Sequence, residues 1–424
     1  MPTIKVDNLI ITTDNEGARE FSKVSYPLRY GLFAEIKSPE HVFQFNLNGE
    51  IKFITGRTED WPDPMEWLKR TVADDWIYYS TGGYSGVYSS FGEYYLPCLS
   101  YPSNSINVSD PFDRDSVRDA INSWRKLYLK ISKLHTESLS EEFRNFINSV
   151  IKRSPESLKL RAKKLHETIG ENITVLPPDT RHVDYDVIPV IIADGCLYRC
   201  GFCRIKSKRD FKIRSMENIK RQIKGLKNLF GSDIRNYNSI FLGQHDALHA
   251  GRDLIEFAAE YAYNEFGLER SNLKDSNLFL FGSVDSLINA GDDLFECLNS
   301  LPYLTYINLG LESADRETLI KLGKSITPEA VDDAFTKLVD INKKYEKIVV
   351  TANFLFGDSL PKGHIPSFFR LIEQRLEHHY PKGAIYFSPF LDAKSEEKRG
   401  IKRKFYRIKA GSRLPTFLYL IQRL

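Results

Sequence analysis

The sequence predicts an α/β protein, in which a partial barrel of six βα units follows an N-terminal α+β domain. From Val187 onward, short runs rich in β-branched and aromatic residues alternate with longer segments of helical period. These runs are apolar on both faces, which is typical of buried parallel strands joined by helices. Before Val187 the order is different, because aromatic strand-like segments come first and helical segments follow.

The predicted barrel has six strands with helices between them. The strand candidates are 187–194, 239–243, 277–282, 305–311, 347–356 and 384–390. The candidate helices lie near 215–230, 251–266, 285–299, 315–322 with 328–344, and 365–379. Barrels of this kind carry their chemistry at the carboxyl ends of the strands. We therefore expect functional residues in the segments that directly follow the strands.

The chain divides into three predicted parts. Residues 1–180 form the N-terminal α+β domain, a candidate for substrate selection, and residues 181–391 form the barrel. Residues 392–424 form a basic C-terminal extension. The adjacent prolines Pro177 and Pro178 predict a linker between the first two parts.

The N-terminal domain shows both strand and helix patterns. Residues 41–57 alternate around an Asn-Gly pair, which predicts a β-hairpin. Within 113–169 a helix is predicted with Trp124, Leu127, Ile131 and Leu134 on its core-facing side. Between these segments, Tyr84, Tyr88, Tyr94 and Tyr95 are available for stacking or hydrogen bonding to a ligand, or for packing in an aromatic β-layer.

Composition narrows the possible classes of protein. Of the 424 residues, 42% are hydrophobic and 12% aromatic, so the chain can bury a sizeable core. No signal peptide pattern opens the sequence, and its apolar runs are far shorter than the roughly 20 residues of a membrane span. We expect a cytoplasmic protein without a transmembrane segment. Five cysteines are too few for a disulfide framework in so long a chain, and Cys98 and Cys297 are isolated.

The net charge of +3 conceals two basic segments. Residues 204–227 contain ten Lys and Arg against two Asp and Glu, and residues 394–424 have the same count. Such patches suit an anionic partner, which could be a nucleic acid, a nucleotide or a lipid surface. The alternative is that they are solvated faces of helices and a tail.

The other three cysteines lie within eight residues, directly after the first predicted barrel strand. Cys196, Cys200 and Cys203 form the pattern C-x3-C-x2-C, and the aromatic Phe202 precedes the last of them. A closed structural zinc site needs four ligands, and no fourth cysteine is nearby. Three thiolates instead suit a [4Fe-4S] cluster that leaves one iron open to another ligand. Zinc and a redox dithiol remain as alternatives.

The cysteine motif and its position after strand one resemble the radical S-adenosylmethionine (radical SAM) superfamily, over roughly residues 185–391. The resemblance implies that the open iron of the cluster binds SAM and that an electron cleaves SAM to methionine and a 5′-deoxyadenosyl radical. That radical would abstract hydrogen from an unidentified substrate. The resemblance also implies an external electron donor such as flavodoxin or ferredoxin.

The segment after strand two is the next candidate for cofactor binding. The family has a Gly-Gly-Glu-like turn there, whose backbone holds the amino group of SAM. This chain has Gly243, Gln244, His245 and Asp246, so only the first glycine matches. The resemblance implies a backbone contact at this turn, with Asp246 as a candidate carboxylate. His245 is a candidate proton donor or an ordinary loop residue.

Strands three to five supply further candidates. After strand three, Ser283 could bind the ribose of SAM or cap the following helix. The segment 308–327 resembles the "GLES" segment of the branch with the coproporphyrinogen dehydrogenases and Elp3-like enzymes, which implies that Glu312 faces SAM. Lys324 stands where some relatives have an arginine near the SAM carboxylate, and Asn353 where relatives place a polar residue towards the ribose.

These observations leave two main classes of function, and a weaker third in which a protein with the cluster and SAM has lost turnover. The first is a radical SAM enzyme, an oxidoreductase or transferase, that uses a [4Fe-4S] cluster and SAM. The alternative is a non-catalytic zinc or nucleic-acid-binding protein that uses the basic patches.

Overall fold

The computed structural model describes residues 1–83, 86–100, 110–203, 210–390, 395–419 and 424, and only the backbone of 395–401. Within these residues the chain is α/β, as predicted. An antiparallel sheet with its helices comes first, and a parallel sheet with helices between its strands follows.

The N-terminal sheet has eight strands, each paired antiparallel with the next along the chain. They are β1 (Thr3–Val6), β2 (Leu9–Glu16), β3 (Leu32–Lys37), β4 (His41–Phe45), β5 (Ile51–Gly56), β6 (Trp67–Arg70), β7 (Trp76–Ser80) and β8 (Leu96–Leu99). The predicted hairpin is the β4–β5 pair, and its turn contains Gly49 with φ of +76°. An Asn-Gly turn favours this hairpin because glycine adopts positive φ without strain.

Four helices accompany this sheet: α1 (Val87–Phe91), α2 (Asp115–Ile131), α3 (Glu141–Ile151) and α4 (Pro155–Ile169). A short 3-10 helix, Pro111–Asp113, precedes α2. The predicted core face of α2 is confirmed for Trp124, Leu127 and Ile131, which are buried, whereas Leu134 lies beyond the end of the helix and is half-buried. Trp124 packs edge-on against Phe45 of β4, which joins the helices to the sheet.

The second sheet contains seven parallel strands in the order β17-β16-β15-β14-β13-β12-β9. Their bounds are β9 (Ile188–Pro189), β12 (Ser239–Phe241), β13 (Asn277–Gly282), β14 (Leu304–Glu312), β15 (Ile348–Phe356), β16 (Ile385–Pro389) and β17 (Thr416–Leu418). A separate two-stranded pair joins β10 (Ala193–Asp194) to β11 (Lys212–Ile213). All six predicted strands are present, and β17 is an additional strand from the predicted C-terminal extension.

Helices connect the parallel strands, as βα units require. They are α5 (Met216–Phe230), α6 (Arg252–Phe266), α7 (Val284–Asn289), α8 (Asp292–Ser300), α9 (Arg316–Lys321), α10 (Pro328–Lys344), α11 (His364–Arg375) and α12 (Ser395–Gly411), with 3-10 helices at Gly231–Asn236, Ala247–Ala250 and Leu268–Arg270. The helix predicted at 285–299 is broken into α7 and α8 at Ala290 and Gly291. The side chain of Thr327 caps α10 at the amide of Ala330, and Pro328 occupies its first turn.

The proline pair predicts a linker into the barrel, and residues 171–186 are instead a mostly buried segment that packs against the barrel strands. The 3-10 helix Pro178–Val183 contains Asp179, which is 1% exposed and accepts hydrogen bonds from Thr351 of β15 at 2.7 Å and Tyr386 of β16 at 2.8 Å. Prolines start helices readily because the first turn needs no N–H donor. The segment therefore fills space beside strands that belong to the far end of the chain.

The N-terminal sheet packs against the amino ends of the barrel strands. Lys69 of β6 pairs with Asp184 and Asp186, directly before β9, at 3.2 and 3.1 Å. Asn46 donates to Asp233, in the 3-10 helix Gly231–Asn236 before β12, at 3.0 Å. Chemistry in such barrels sits at the opposite, carboxyl ends of the strands.

No helix among the described residues is long and apolar enough to cross a membrane.

Candidate active site

The loop with the three cysteines follows β10 at the carboxyl side of the barrel. Its base is fixed by the β10–β11 pair and by Arg214, whose guanidinium binds both carboxylate oxygens of Asp194 at 2.9 and 2.5 Å. Arg214 also donates to the carbonyl of Ile169 at the end of α4. The loop thus starts from an anchored base.

The cysteine loop docks on the turn that follows α9. The amide of Gly201 donates to the carbonyl of Leu322 at 2.8 Å. A Cβ at Gly201 would stand 3.2 Å from the same carbonyl oxygen, so a larger residue would push the two segments apart. The contact brings Cys200 close to Glu312 and Lys324, which both act on its pKa.

The three thiols differ in exposure. Cys200 is 9% exposed, Cys203 and the adjacent Phe202 are half-buried, and Cys196 is exposed. Burial raises the pKa of Cys200 to about 11; the Lys324 ammonium lowers it, and Glu312 and the other two cysteines raise it. Because Cys196 and Cys203 both raise the pKa of Cys200, the three sulfurs lie close enough to interact electrostatically.

Three thiolates on one loop fit the donor set of an iron-sulfur cluster. Among the residues that the structure describes, no three Cys, His, Asp or Glu side chains are close enough to hold one ion. A zinc ion would need four ligands at about 2.0–2.3 Å. A [4Fe-4S] cluster takes one thiolate per iron and spreads its ligands over separate corners, so three cysteines on one loop fit it.

Glu312 ends β14 in a strained conformation. Its φ is +67°, and the register between β14 and β15 shifts between Gly310 and Glu312, as in a β-bulge. A left-handed conformation costs a residue other than glycine about 1–3 kcal/mol, and such strain clusters at functional sites. Burial raises the pKa of the Glu312 carboxyl, while Lys324 lowers it.

Lys324 lies on the turn after α9 and borders the site beside Glu312. It is 6% exposed, donates to the carbonyl of Gly310, and stands 3.5 Å from Oε1 of Glu312. Its ammonium also lies over the ring of Tyr198, 5.5 Å from the centroid. Glu312 and Lys324, two separate candidates for SAM binding, therefore lie together beside Tyr198 of the cysteine loop.

Gly243 follows β12 with φ of +107°, a conformation open to glycine. A Cβ here would contact Cδ1 of Ile191 at 3.3 Å. The lack of a side chain thus lets the backbone at this turn lie close to Ile191. The glycine is needed for both reasons.

The side chain of Gln244 is hydrogen-bonded to the segment after α4. Its Oε1 accepts from the amide and hydroxyl of Thr174 at 2.9 and 3.1 Å. Its Nε2 donates to Glu171 at 3.1 Å and to the carbonyl of Asn172 at 2.7 Å. The side chain thus uses its hydrogen-bonding capacity within the protein, and only its backbone is left for the predicted contact with SAM.

His245 lies between the cysteine loop and the same segment. Its Nδ1 is 3.5 Å from Sγ of Cys196, and its Nε2 is 3.0 Å from Oε2 of Glu171. Burial lowers the pKa of the imidazole, but the hydrogen bonds to Cys196 and Glu171 outweigh it and raise that pKa to about 9. His182 and His245 are the histidines closest in sequence to the three cysteines. His182 does not join the site but stacks on Tyr306 in the barrel interior.

Asp246 and Ser283 meet after β12 and β13. Oδ1 of Asp246 accepts from the amide of Ser283 at 3.2 Å, and its buried Oδ2 has no partner among the described residues. Burial raises the pKa of the Asp246 carboxyl. Ser283 caps α7 and forms a capping box with Ser286, which is the structural role expected as its alternative. The hydroxyl of Ser283 is therefore engaged, while one oxygen of Asp246 is not.

Asn353 pairs with a second amide across β14 and β15. It donates to Oδ1 of Asn308 at 2.5 Å and accepts from Nδ2 of Asn308 at 3.2 Å. Asn308 also donates to the hydroxyl of Thr351 at 2.8 Å. An asparagine in a barrel strand is thus explained by a polar network inside the barrel.

Three residues of the site are missing from the sequence prediction. Glu171 and Asn308 act through hydrogen bonds to residues 74 and 45 positions away, which no local pattern reveals. Tyr198 stands inside the cysteine motif, and its hydroxyl accepts from the amide of Asp285 at 3.2 Å. Its place between two predicted iron ligands is the signal that could have identified it.

The four tyrosines that could bind a ligand or pack in an aromatic β-layer do not belong to this site. Tyr94 and Tyr95 line a cavity of about 50 Å³ beside Arg181 and Asp184, on the amino side of the barrel, and Tyr84 is outside the described residues. Substrate selection by residues 1–180 stays a prediction. The described part of that region that contacts the candidate site is the segment after α4.

The basic segments are described in part. Residues 204–209, at the start of the first segment, and 394 and 420–423 of the second are outside the described residues. In the remainder, Lys212 is exposed on β11, and Lys220 and Lys227 form ion pairs with Glu217 and Glu265. Part of the positive charge is therefore balanced on the helix surface.

Comparison with known proteins gives one family match, over part of the chain. Residues 190–372 match the family model of the Radical SAM superfamily. No curated protein matches the chain.

Three solved structures show partial similarity. A radical SAM methyltransferase from Sphaerobacter thermophilus has 12% identity and a TM-score of 0.37, over 55% of this chain and 65% of that chain. Methylornithine synthase (PylB) has 12% identity and a TM-score of 0.34, over 69% and 81%. The cobalamin-dependent S-adenosylmethionine radical enzyme OxsB has 16% identity and a TM-score of 0.34, over 55% and 33%. The chain thus spans less than two thirds of the first and third structures, and we take no activity from them.

Proposed function

We propose that this chain, an enzyme that belongs to the radical SAM superfamily through residues 190–372, binds a [4Fe-4S] cluster with Cys196, Cys200 and Cys203 and cleaves SAM reductively. Enzymes of the superfamily use this cluster and SAM. When bound and reduced, the cluster supplies the electron that cleaves SAM to methionine and a 5′-deoxyadenosyl radical. Such a radical would abstract a hydrogen atom from the substrate.

One observation carries the proposal for this particular set of ligands. The hydrogen bond from Gly201 to Leu322 holds the cysteine loop against the turn after α9, beside Glu312 and Lys324. Two segments more than 100 residues apart, which resemble the family independently, therefore meet at one point. This meeting is what a cofactor shared between them requires.

The residues around the cysteines suit the charges of SAM. The amino group of its methionine part needs acceptors, which the carboxylate of Glu312 and the backbone around Gly243 offer. Its carboxylate needs a cation, and Lys324 is a buried cation beside the cysteine loop. A lysine offers a point charge where an arginine would offer a fork of two donors, so we expect a single contact here.

The barrel interior supports chemistry that must exclude water. The 3-10 helix Pro178–Val183 brings buried side chains against Thr351 and Tyr386, on the side of the barrel away from the cysteines. His182 and Tyr306 stack there at 5.2 Å between centroids. Because these side chains fill the barrel on its amino side, we expect a substrate to reach the cysteines from the carboxyl side. A site that is closed in this way protects reactive intermediates from water.

We further propose an anionic substrate and a reducing protein such as flavodoxin or ferredoxin as partners. Lys212 of β11 supports an anionic substrate, because it is exposed on the strand that pairs with the base of the cysteine loop. A nucleic acid, a nucleotide and a lipid headgroup share the phosphate that such a cation would recognise.

The proposal is tested by reconstituting the protein with iron and sulfide without oxygen, reducing it with dithionite, adding SAM and measuring 5′-deoxyadenosine. We expect product from the wild type and none from Cys200→Ala. Cys297→Ala is the matched control, because Cys297 is also a buried cysteine but lies on α8. It should keep both the iron and the product.

The outcomes are distinct. Equal product from wild type and Cys200→Ala, or bound zinc in place of iron and sulfide, would contradict the proposal. Zinc would favour the non-catalytic alternative.

A further inference from the structure

His245 occupies an unusual position for a loop histidine. It is 5% exposed and follows Gly243, where the backbone turns away from β12. One ring nitrogen contacts the Sγ of Cys196 and the other contacts Glu171, at 3.5 and 3.0 Å. The imidazole thus bridges a predicted iron ligand and a carboxylate from another part of the chain.

The orientation of this imidazole is fixed by the protein. Glu171 accepts from Nε2 of His245 and also from Nε2 of Gln244 through the same oxygen, Oε2. Gln244 in turn holds Asn172 and Thr174, so the backbone that carries Glu171 is tied to the end of β12. His245 therefore has no freedom to turn Nδ1 away from the cysteine loop without breaking this network.

The partners determine what the imidazole donates. A carboxylate oxygen accepts hydrogen bonds, so Nε2 carries a proton. The sulfur that binds iron is a thiolate, which also accepts, so a proton on Nδ1 points at Sγ of Cys196. Ligands of metal centres are commonly oriented and tuned by partners of this kind.

We infer that His245, oriented by Glu171, donates a hydrogen bond to the Cys196 thiolate and thereby raises the reduction potential of the cluster. The inference rests on the proposed function, because it requires a cluster on Cys196. Reduction adds negative charge to the cluster and its sulfurs, and hydrogen bonds to the sulfurs stabilise that charge. His245 and Glu171 are thus positioning residues for the entry of the electron, and they do not contact the reacting atoms.

The test measures the midpoint potential of the reconstituted holoprotein by a redox titration monitored by electron paramagnetic resonance, with iron and sulfide content measured on the same samples. His245→Leu removes the donor, and we expect a more negative potential at unchanged iron content. His245→Asn places an amide N–H near the position of Nδ1, and we expect it to restore part of the shift. Glu171→Gln weakens the orientation of the imidazole, and we expect a smaller shift in the same direction.

His249→Ala is the matched control. His249 lies four residues further on, in the 3-10 helix Ala247–Ala250, where its ring packs edge-on against Phe211. We expect it to leave the potential at the wild-type value.

Each result decides between the two proposals. A wild-type protein without a cluster contradicts the proposed function. A wild-type cluster that cleaves SAM, together with equal potentials in wild type, His245→Leu and Glu171→Gln, overturns the inference alone. If His245→Leu does not assemble a cluster, Glu171→Gln decides, and a wild-type potential in that variant overturns the inference.

Discussion

Replacing Gly243 by alanine is expected to lower both the stability of the fold and the rate of SAM cleavage. With φ of +107°, an alanine at this position would adopt a conformation that costs about 1–3 kcal/mol. Its Cβ would also stand 3.3 Å from Cδ1 of Ile191, which must shift by a few tenths of an ångström. We therefore expect the free energy of unfolding to fall by about 1–3 kcal/mol. We also expect the backbone after β12 to lose its contact with SAM.

Gly251→Ala provides the matched control for backbone strain. Gly251 has φ of +84°, and a Cβ there would contact nothing within 4 Å. Both variants should lose similar stability in urea unfolding. Only Gly243→Ala should lose about tenfold or more in the rate of 5′-deoxyadenosine formation, because a lost hydrogen bond of about 1.4 kcal/mol corresponds to a factor of ten. Wild-type stability in Gly243→Ala, or equal losses of rate in both variants, would refute this reasoning.

Two further variants test the charges of the structure. Glu312→Gln should weaken SAM binding, measured by anaerobic calorimetry, while the iron content stays at the wild-type level. Unchanged affinity would show that Glu312 does not contact SAM. Burial raises the pKa of Asp233 from 3.8 to about 6, so Asp233 stabilises the protein below pH 4 and this contribution is lost as the pH rises to 6. The free energy of unfolding of the wild type, minus that of Asp233→Asn, should fall by about 3 kcal/mol over this range, and a flat difference would contradict the buried carboxyl.

The sequence predicts the barrel strands well because burial on both faces leaves a clear apolar pattern. It misses β17, since Thr416–Leu418 is only three residues long and follows a basic helix. A strand this short is recognised by its pairing with β16, which only the folded chain provides. The predicted C-terminal extension therefore contributes to the sheet.

The path of residues 171–186 also depends on distant partners. A proline pair is compatible with a linker and with the first turn of a helix, so the local sequence does not decide between them. Burial of Asp179 is stabilised by Thr351 and Tyr386, which are 172 and 207 residues away. The same limit applies to Glu171, whose role depends on its contact with His245.

The candidate site was predictable where chemistry imposes a motif. Three thiolates at fixed spacing and the glycine at 243 could be identified from the sequence alone. The structural roles of Gln244 and Ser283 could not, because an amide or a hydroxyl serves a neighbouring backbone as readily as a ligand. Their predicted contacts with SAM stay predictions.

The most direct test of the central claim is the electron paramagnetic resonance spectrum of the dithionite-reduced, reconstituted protein before and after SAM is added. If Cys196, Cys200 and Cys203 hold a [4Fe-4S] cluster with one open iron, SAM binds that iron and the spectrum changes. We predict a clear shift of the signal with SAM and no cluster signal from Cys200→Ala. A reduced cluster whose spectrum is the same with and without SAM would contradict the account.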